Sequence, residues 1–65
     1  MDHGKALKIA LVRSGETQVS LAENFKVDRQ QVTRWVASKA FTHSVMVRIL
    51  EHFDMKESDF VALSE

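Results

Sequence analysis

The chain has 65 residues, no cysteine, no proline, and nine Lys/Arg against nine Asp/Glu, so its formal net charge at pH 7 is zero. A chain of this length buries only about 60% of its extended surface, which limits it to one compact domain over residues 1–65. The missing cysteine excludes disulfides and thiolate metal sites, and no apolar run is long enough for a membrane span or a signal peptide. We therefore expect a cytoplasmic protein without membrane contact.

The charge is distributed unevenly along the chain. Residues 1–40 contain seven Lys/Arg and four Asp/Glu, whereas residues 41–65 contain two and five. Such a division also arises by chance in small proteins. A local basic surface is nevertheless what phosphate binding requires, because the attraction depends on nearby charges and not on the total. The zero net charge therefore does not exclude a nucleic-acid partner.

The first part of the chain predicts two short helices. Proline is absent and glycine occurs only at positions 4 and 15, so the usual formers of turns between strands are missing. Apolar residues within Leu7–Leu11 recur at helical spacing, and Gly15 follows where a left-handed C-cap is expected. Thr17 is a candidate N-cap for the second helix, whose inward side carries Leu21 and Phe25.

A third helix is predicted directly after the second. Asp28 is its candidate N-cap, and Gln31 three residues later completes a D-x-x-Q capping-box pattern. Val32, Trp35 and Val36 then share one side of this helix. A tryptophan can also serve as a platform for stacking bases, but this spacing favours a core position for Trp35.

The last third of the chain predicts a fourth helix, which Thr42 can cap, and a shorter fifth one. Apolar residues recur at i, i+3, i+4 and i+7 in the fourth helix: Met46, Ile49, Leu50 and Phe53. The fifth helix is predicted around Lys56–Leu63 with Phe60 turned inward, and Asp54 either ends the fourth helix or caps the fifth. The predicted fold class is therefore all-α, a compact bundle of four to five short helices.

The second and third helices form a tight pair. Only three residues, Lys26–Asp28, separate them, which favours a helix-turn-helix at about residues 18–37. Polar side chains share the outward side of its second helix: Arg29, Gln30, Thr33 and Arg34. Arginine can bond to guanine, glutamine to adenine, and threonine can contact the methyl group of thymine. The patch suits base edges in a DNA major groove, although an outer helix face can also be polar merely because it is solvated.

The segment QVSLAENFKVDRQQVTRW, residues 18–35, resembles the helix-turn-helix of the phage Cro and CI repressors, the XRE-type fold. Gln18 matches the glutamine that opens the motif, Val27 the apolar turn residue, and Trp35 the late buried aromatic. The segment THSVMVRILEHFDMKESDFVAL, residues 42–63, has the spacing of the family's fourth and fifth helices. The resemblance covers roughly residues 5–63. It implies a lambda repressor-like DNA-binding domain that binds a palindromic operator as a homodimer and represses transcription.

The resemblance also implies roles for single residues. Position by position, the four polar residues of the third helix would contact bases. Phosphate contacts are expected from further side chains: Gln18, Thr17, Lys26, Lys39, Ser38 and His43. The amide of Gln18 would in addition support the third helix, which is the recognition helix of the family.

The chain departs from the family pattern in two places. Members usually have glycine in the turn, where this chain has Lys26, and a non-glycine residue in a left-handed conformation costs on the order of 1 kcal/mol. Either the turn has another geometry or the lysine has a use such as a phosphate contact. Ser38 and Lys39 stand where a glycine usually follows the third helix, so we expect that loop to take another path.

The segment VDRQQVTRW is also similar to the lambda CII-type activators, which assemble as tetramers through an added C-terminal helix. Because the sequence ends at Glu65, we expect little room for that helix and favour a Cro-like repressor. An antitoxin or adaptor that binds another protein is the alternative from a different class. The C-terminal part of the chain has more apolar residues than one helix face can bury, which indicates an interface with a second copy. The candidate interface residues are Met55, Val61 and Val47.

No other chemistry is predicted. The histidines at positions 3, 43 and 52 do not have the spacing of metal ligands. Ser44, His52 and Asp54 can be drawn as a catalytic triad, but a bundle of this size leaves little room for a substrate pocket. We therefore expect no metal, no cofactor, no small-molecule ligand and no enzymatic activity.

Overall fold

The computed structural model describes residues 2–65, and this part of the chain forms five helices. They are α1 (His3–Ser14), α2 (Gln18–Phe25), α3 (Arg29–Ala37), α4 (His43–Phe53) and α5 (Glu57–Ala62). Residues 2–65 contain no strand, and none of the helices there has the length and apolar character that a membrane crossing requires. The predicted all-α bundle is confirmed, including its fifth helix and the short connection between α2 and α3.

A single hydrophobic core joins the five helices. Its buried apolar residues are Ala6, Leu7, Ala10, Leu11, Leu21, Ala22, Val32, Trp35, Val36, Met46, Ile49 and Phe60. Full burial of one large apolar side chain contributes about 1.5–3 kcal/mol. The helix α3 packs against α1 and α2, and α5 packs against α1 and α4. Trp35 is only 7% exposed, so its predicted core position is confirmed.

The ends of α1 and α2 follow the sequence prediction. Gly15 ends α1 in a left-handed conformation with φ 74°. Thr17 caps α2: its Oγ1 accepts a hydrogen bond from the backbone N–H of Ser20 at 3.1 Å. The Ser20 hydroxyl oxygen accepts one in return from the Thr17 N–H, also at 3.1 Å. This reciprocal pair satisfies two N–H groups that would otherwise lack a partner within the helix.

The ends of α4 and α5 resolve the ambiguity at Asp54. Thr42 caps α4 through a hydrogen bond from Val45 N–H to its Oγ1 at 3.4 Å. Asp54 ends α4 in a left-handed conformation with φ 53°. Lys56, not Asp54, occupies the N-cap position of α5. Asp54 therefore belongs to the end of α4.

The predicted capping box at α3 is wrong. Asp28 does occupy the N-cap position with an extended backbone, but its side chain makes no hydrogen bond to the helix. Gln31 donates its backbone N–H to the main-chain carbonyl of Asp28 at 2.9 Å. The Asp28 carboxylate is exposed and is not engaged in capping.

The turn between α2 and α3 has the left-handed geometry for which glycine is usual. Lys26 has φ 57° and ψ 43°. Its N–H bonds to the Glu23 carbonyl at 3.2 Å, and the next N–H, of Val27, bonds to the Ala22 carbonyl at 3.0 Å. This pattern closes the end of α2 but places a Cβ atom in a conformation that costs roughly 1–2 kcal/mol.

We expect Lys26→Gly to raise the free energy of unfolding by about 0.5–1 kcal/mol. Glycine adopts the left-handed conformation without steric cost, and this gain exceeds the entropy that glycine adds to the unfolded chain. Thermal or urea unfolding measures the difference. Asp54→Gly is the matched control and should gain less, because aspartate tolerates the same conformation better than lysine does. A lower melting temperature for Lys26→Gly would show that the turn is not strained.

Candidate nucleic-acid interface

The polar residues predicted to contact bases lie together on one side of α3. Its exposed side carries Arg29, Gln30, Thr33 and Arg34. The opposite side carries Val32, Trp35 and Val36, all buried. The Trp35 ring meets the Phe25 ring of α2 edge-on, with 5.7 Å between the ring centroids. Because its apolar side is held in the core, α3 presents the four polar side chains, here called the α3 face, to solvent.

Gln18 contacts α3, as the resemblance to the Cro and CI helix-turn-helix implies. The Thr33 hydroxyl lies 3.4 Å from Gln18 Oε1 and 3.1 Å from the backbone carbonyl of Arg29. A hydroxyl has only one hydrogen to donate, so these two acceptors share it. The link between the first turn of α2 and α3 is therefore real but long, and α3 is held mainly by its apolar packing.

The other predicted phosphate residues are spread over several helix ends. Thr17 and Lys26 lie at opposite ends of α2, and Lys39 and His43 lie after α3; all four are exposed. Ser38 is half-buried, and its hydroxyl donates to the Ala40 carbonyl at 2.8 Å. The hydroxyl hydrogen of Ser38 is thus used within its own loop, and the phosphate contacts of these residues stay a prediction.

The loop after α3 takes a path that needs no glycine. Ser38 is extended, with φ −88° and ψ 141°. Its carbonyl accepts from Gly4 N–H at 2.8 Å, and the Lys39 carbonyl accepts from His3 N–H at 3.0 Å. His3 Nδ1 accepts a hydrogen bond from Phe41 N–H at 2.8 Å. The first turn of α1 thus fixes this loop.

Arg48 of α4 is a contact that sequence reasoning missed. Its Nη2 donates to the backbone carbonyl of Phe25 at 2.9 Å, and its guanidinium lies 4.7 Å from the centre of the Phe25 ring. Phe25 is the last residue of α2, directly before the left-handed Lys26. Arg48 therefore connects α4 with the turn that positions α3. An arginine on the polar side of a helix gives no sequence signal for such a contact.

A groove of about 380 Å³ runs between α3 and α4 beside the α3 face. Its polar lining comes from both helices and from the turn: Asp28, Gln30, Gln31, Arg34 and Arg48. We call it the α3–α4 groove. It shares Gln30 and Arg34 with the α3 face, so the two surfaces are continuous.

The arginines of this region are not neutralised by carboxylates. Within residues 2–65, the only contact closer than 4.0 Å between a basic and an acidic side chain joins His52 Nε2 to Glu16 Oε1 at 2.8 Å. Arg29, Arg34 and Arg48 therefore have no carboxylate oxygen within that distance. Their charge remains available to an anion from outside the chain.

The candidate dimer residues differ in exposure. Met55 and Val61 are half-buried and pack against the core, whereas Val47 is 36% exposed. Val12 of α1, which sequence reasoning did not consider, is 79% exposed. A homodimer through Met55, Val61 and Val47 stays a prediction.

Residues 2–65 contain no group of three or more His, Asp or Glu side chains placed to hold a metal ion. Comparison of the chain with protein-family models, with curated proteins and with solved structures finds no match in any of the three. The residues themselves indicate the function: α3 exposes side chains that can bond to bases, and the arginines on it and beside it have no carboxylate partner within 4.0 Å.

Proposed function

We propose that the chain is a sequence-specific DNA-binding regulator of transcription that places α3 in the major groove. The observation that carries this proposal is the α3 face. Two of its four side chains are arginines without a carboxylate partner within 4.0 Å, and the others are a glutamine and a threonine. Each of these side chains can contact base edges, and three of them, the two arginines and the glutamine, can make paired hydrogen bonds.

The dimensions and the free end of α3 support this proposal. An α-helix with its side chains is about 10–12 Å across and the major groove is about 12 Å wide, so α3, which has nine residues, fits into the groove. Because the Asp28 side chain makes no cap hydrogen bond, the first N–H groups of α3 are not satisfied by that carboxylate. The positive end of the helix dipole favours a nearby phosphate, and the Asp28 carboxylate at the same end opposes it.

We further infer a Cro-like repressor that binds a palindromic operator as a homodimer in the cytoplasm. The resemblance of residues 18–35 to the Cro and CI helix-turn-helix supports this inference. Two copies would read half-sites about one helical turn apart, roughly 34–36 Å, and would repress by occluding a promoter.

The proposal is tested by selecting bound sequences from random duplexes and then measuring Kd as a function of salt. A sequence-specific DNA-binding protein should enrich one motif. The logarithm of its association constant should fall with log salt with a slope of about 0.9 for each phosphate contacted. An antitoxin or adaptor would enrich nothing and would show no duplex binding to titrate. Light scattering on the selected duplex should show two copies; one copy on an asymmetric site would contradict the palindromic operator.

A further inference from the structure

The α3–α4 groove contains an arginine, Arg48, that does not belong to the α3 face. Arg48 stands on the α4 wall, while Gln30 and Arg34 form the α3 wall. A helix in the major groove has sugar–phosphate backbone along its sides, and phosphates receive half or more of protein–DNA hydrogen bonds. The groove runs along one side of α3, so a backbone beside the inserted helix would be close to it.

We propose that Arg48 binds a DNA backbone phosphate in the α3–α4 groove. The inference rests on the proposed function. A guanidinium has five N–H donors, and the structure gives Arg48 one hydrogen bond, from Nη2 to the Phe25 carbonyl. The remaining donors are free to bind a phosphate, for which the planar guanidinium fork is suited.

The contacts of Arg48 with Phe25 prepare it for this role. The hydrogen bond of 2.9 Å and the 4.7 Å distance to the ring restrict the side chain before any ligand arrives. An arginine that is already ordered loses less entropy on binding than a free one. The same contacts hold Arg48 on the α4 wall, apart from the α3 face, so its contact is with the backbone and not with bases.

Asp28 places a negative charge in the same groove. Its carboxylate lines the same groove and lies more than 4.0 Å from any arginine nitrogen. A phosphate bound by Arg48 would be repelled by this carboxylate, so Asp28 lowers the affinity for every sequence. An acidic protein segment would meet the same repulsion without the contacts that the α3 face offers to bases, which favours DNA as the occupant.

The test uses the selected duplex with single phosphates replaced in turn by neutral methylphosphonate. The wild-type chain should lose about tenfold in affinity at one phosphate flanking the half-site. Arg48→Gln should bind every sequence about tenfold more weakly, with its salt slope reduced by about one. It should lose nothing more when that same phosphate is neutralised. Arg13→Gln is the matched control, because Arg13 is an exposed arginine of α1 outside the groove. This variant should lose affinity at the same phosphate as the wild-type chain.

Two further variants test the phosphate contact, one by retaining the charge at position 48 and one by removing the charge at position 28. Arg48→Lys retains the charge and should therefore keep the wild-type salt slope. It is needed if a thermal melt shows that Arg48→Gln is less stable, because it separates loss of the charge from loss of stability. Asp28→Asn should tighten binding to all sequences by a few-fold, since removing a nearby like charge strengthens phosphate binding. No change for Asp28→Asn would place the phosphate elsewhere and overturn the inference.

The outcomes separate this inference from the proposed function. If the wild-type chain binds no duplex, the function itself is wrong. If it binds but Arg48→Gln still loses affinity at the same phosphate, Arg48 only braces the α2–α3 turn, and the phosphate contact is refuted while the DNA-binding function stands.

Discussion

Replacing Gly4 by alanine is expected to lower the free energy of unfolding by about 2 kcal/mol. A Cβ atom at this position would lie 2.4 Å from the Val36 carbonyl oxygen and 2.5 Å from that of Ser38. Both are backbone atoms, so α1 and the end of α3 must move apart. Such overpacking costs about 1–3 kcal/mol. The separation also strains the hydrogen bond from Gly4 N–H to the Ser38 carbonyl, which contributes a further 0.5–1.5 kcal/mol or so.

One effect opposes this loss. Alanine is favoured over glycine within a helix by about 0.8–1.0 kcal/mol, and Gly4 lies in the first turn of α1. The steric and hydrogen-bond terms together exceed this gain. For a domain of this size the net loss corresponds to a melting temperature roughly 8–16 °C lower.

Urea and thermal unfolding of Gly4→Ala measure this loss, with Gly15→Ala as the control. Nothing lies within 4 Å of a Cβ built on Gly15, whose φ is 74°. Gly15→Ala should therefore lose only the cost of the left-handed conformation, about 1 kcal/mol. A Gly4→Ala variant as stable as the wild type would show that α1 and α3 are not in the close contact described.

The fold could be predicted because its elements depend on local signals. Apolar residues recur at helical spacing in each helix, and caps such as Thr17 and Thr42 mark where helices begin. Asp54 was ambiguous because its position suits both the end of α4 and the start of α5. The capping box at Asp28 was predicted wrongly, because a residue can occupy the N-cap position while its side chain makes no hydrogen bond to the helix. The conformation of one exposed side chain is not determined by residue spacing.

The candidate site could be predicted only in part. The α3 face follows from periodicity, since residues opposite Val32 and Trp35 must point outward. The roles of Gly4 and Arg48 could not be foreseen, because their partners are distant in sequence: Arg48 bonds to a residue 23 positions earlier, and Gly4 contacts Ser38. Contacts of this kind depend on how the helices pack, which residue spacing does not specify.

Replacing Arg29 or Arg34 by alanine is expected to weaken binding to the selected DNA sequence by about 5–150-fold. A paired arginine–guanine contact is worth about 1–3 kcal/mol of discrimination, and 1.4 kcal/mol is tenfold in Kd. Binding to a scrambled duplex should weaken much less, because such a duplex does not offer the paired base contact that the variant loses. Both Kd values are measured at one salt concentration, since comparison across salts would mix the two effects.

The base position at which each variant loses its preference is more informative than the overall loss of affinity. In a panel of duplexes that differ at a single position, the wild-type chain should prefer one base pair, and Arg34→Ala should bind all four about equally there. Arg29→Ala should relax a different position, because the two arginines lie more than one helical turn apart on α3. Arg13→Ala is the control and should leave every preference intact. Equal weakening on all duplexes would make these arginines phosphate contacts, and base recognition would then depend on Gln30 and Thr33.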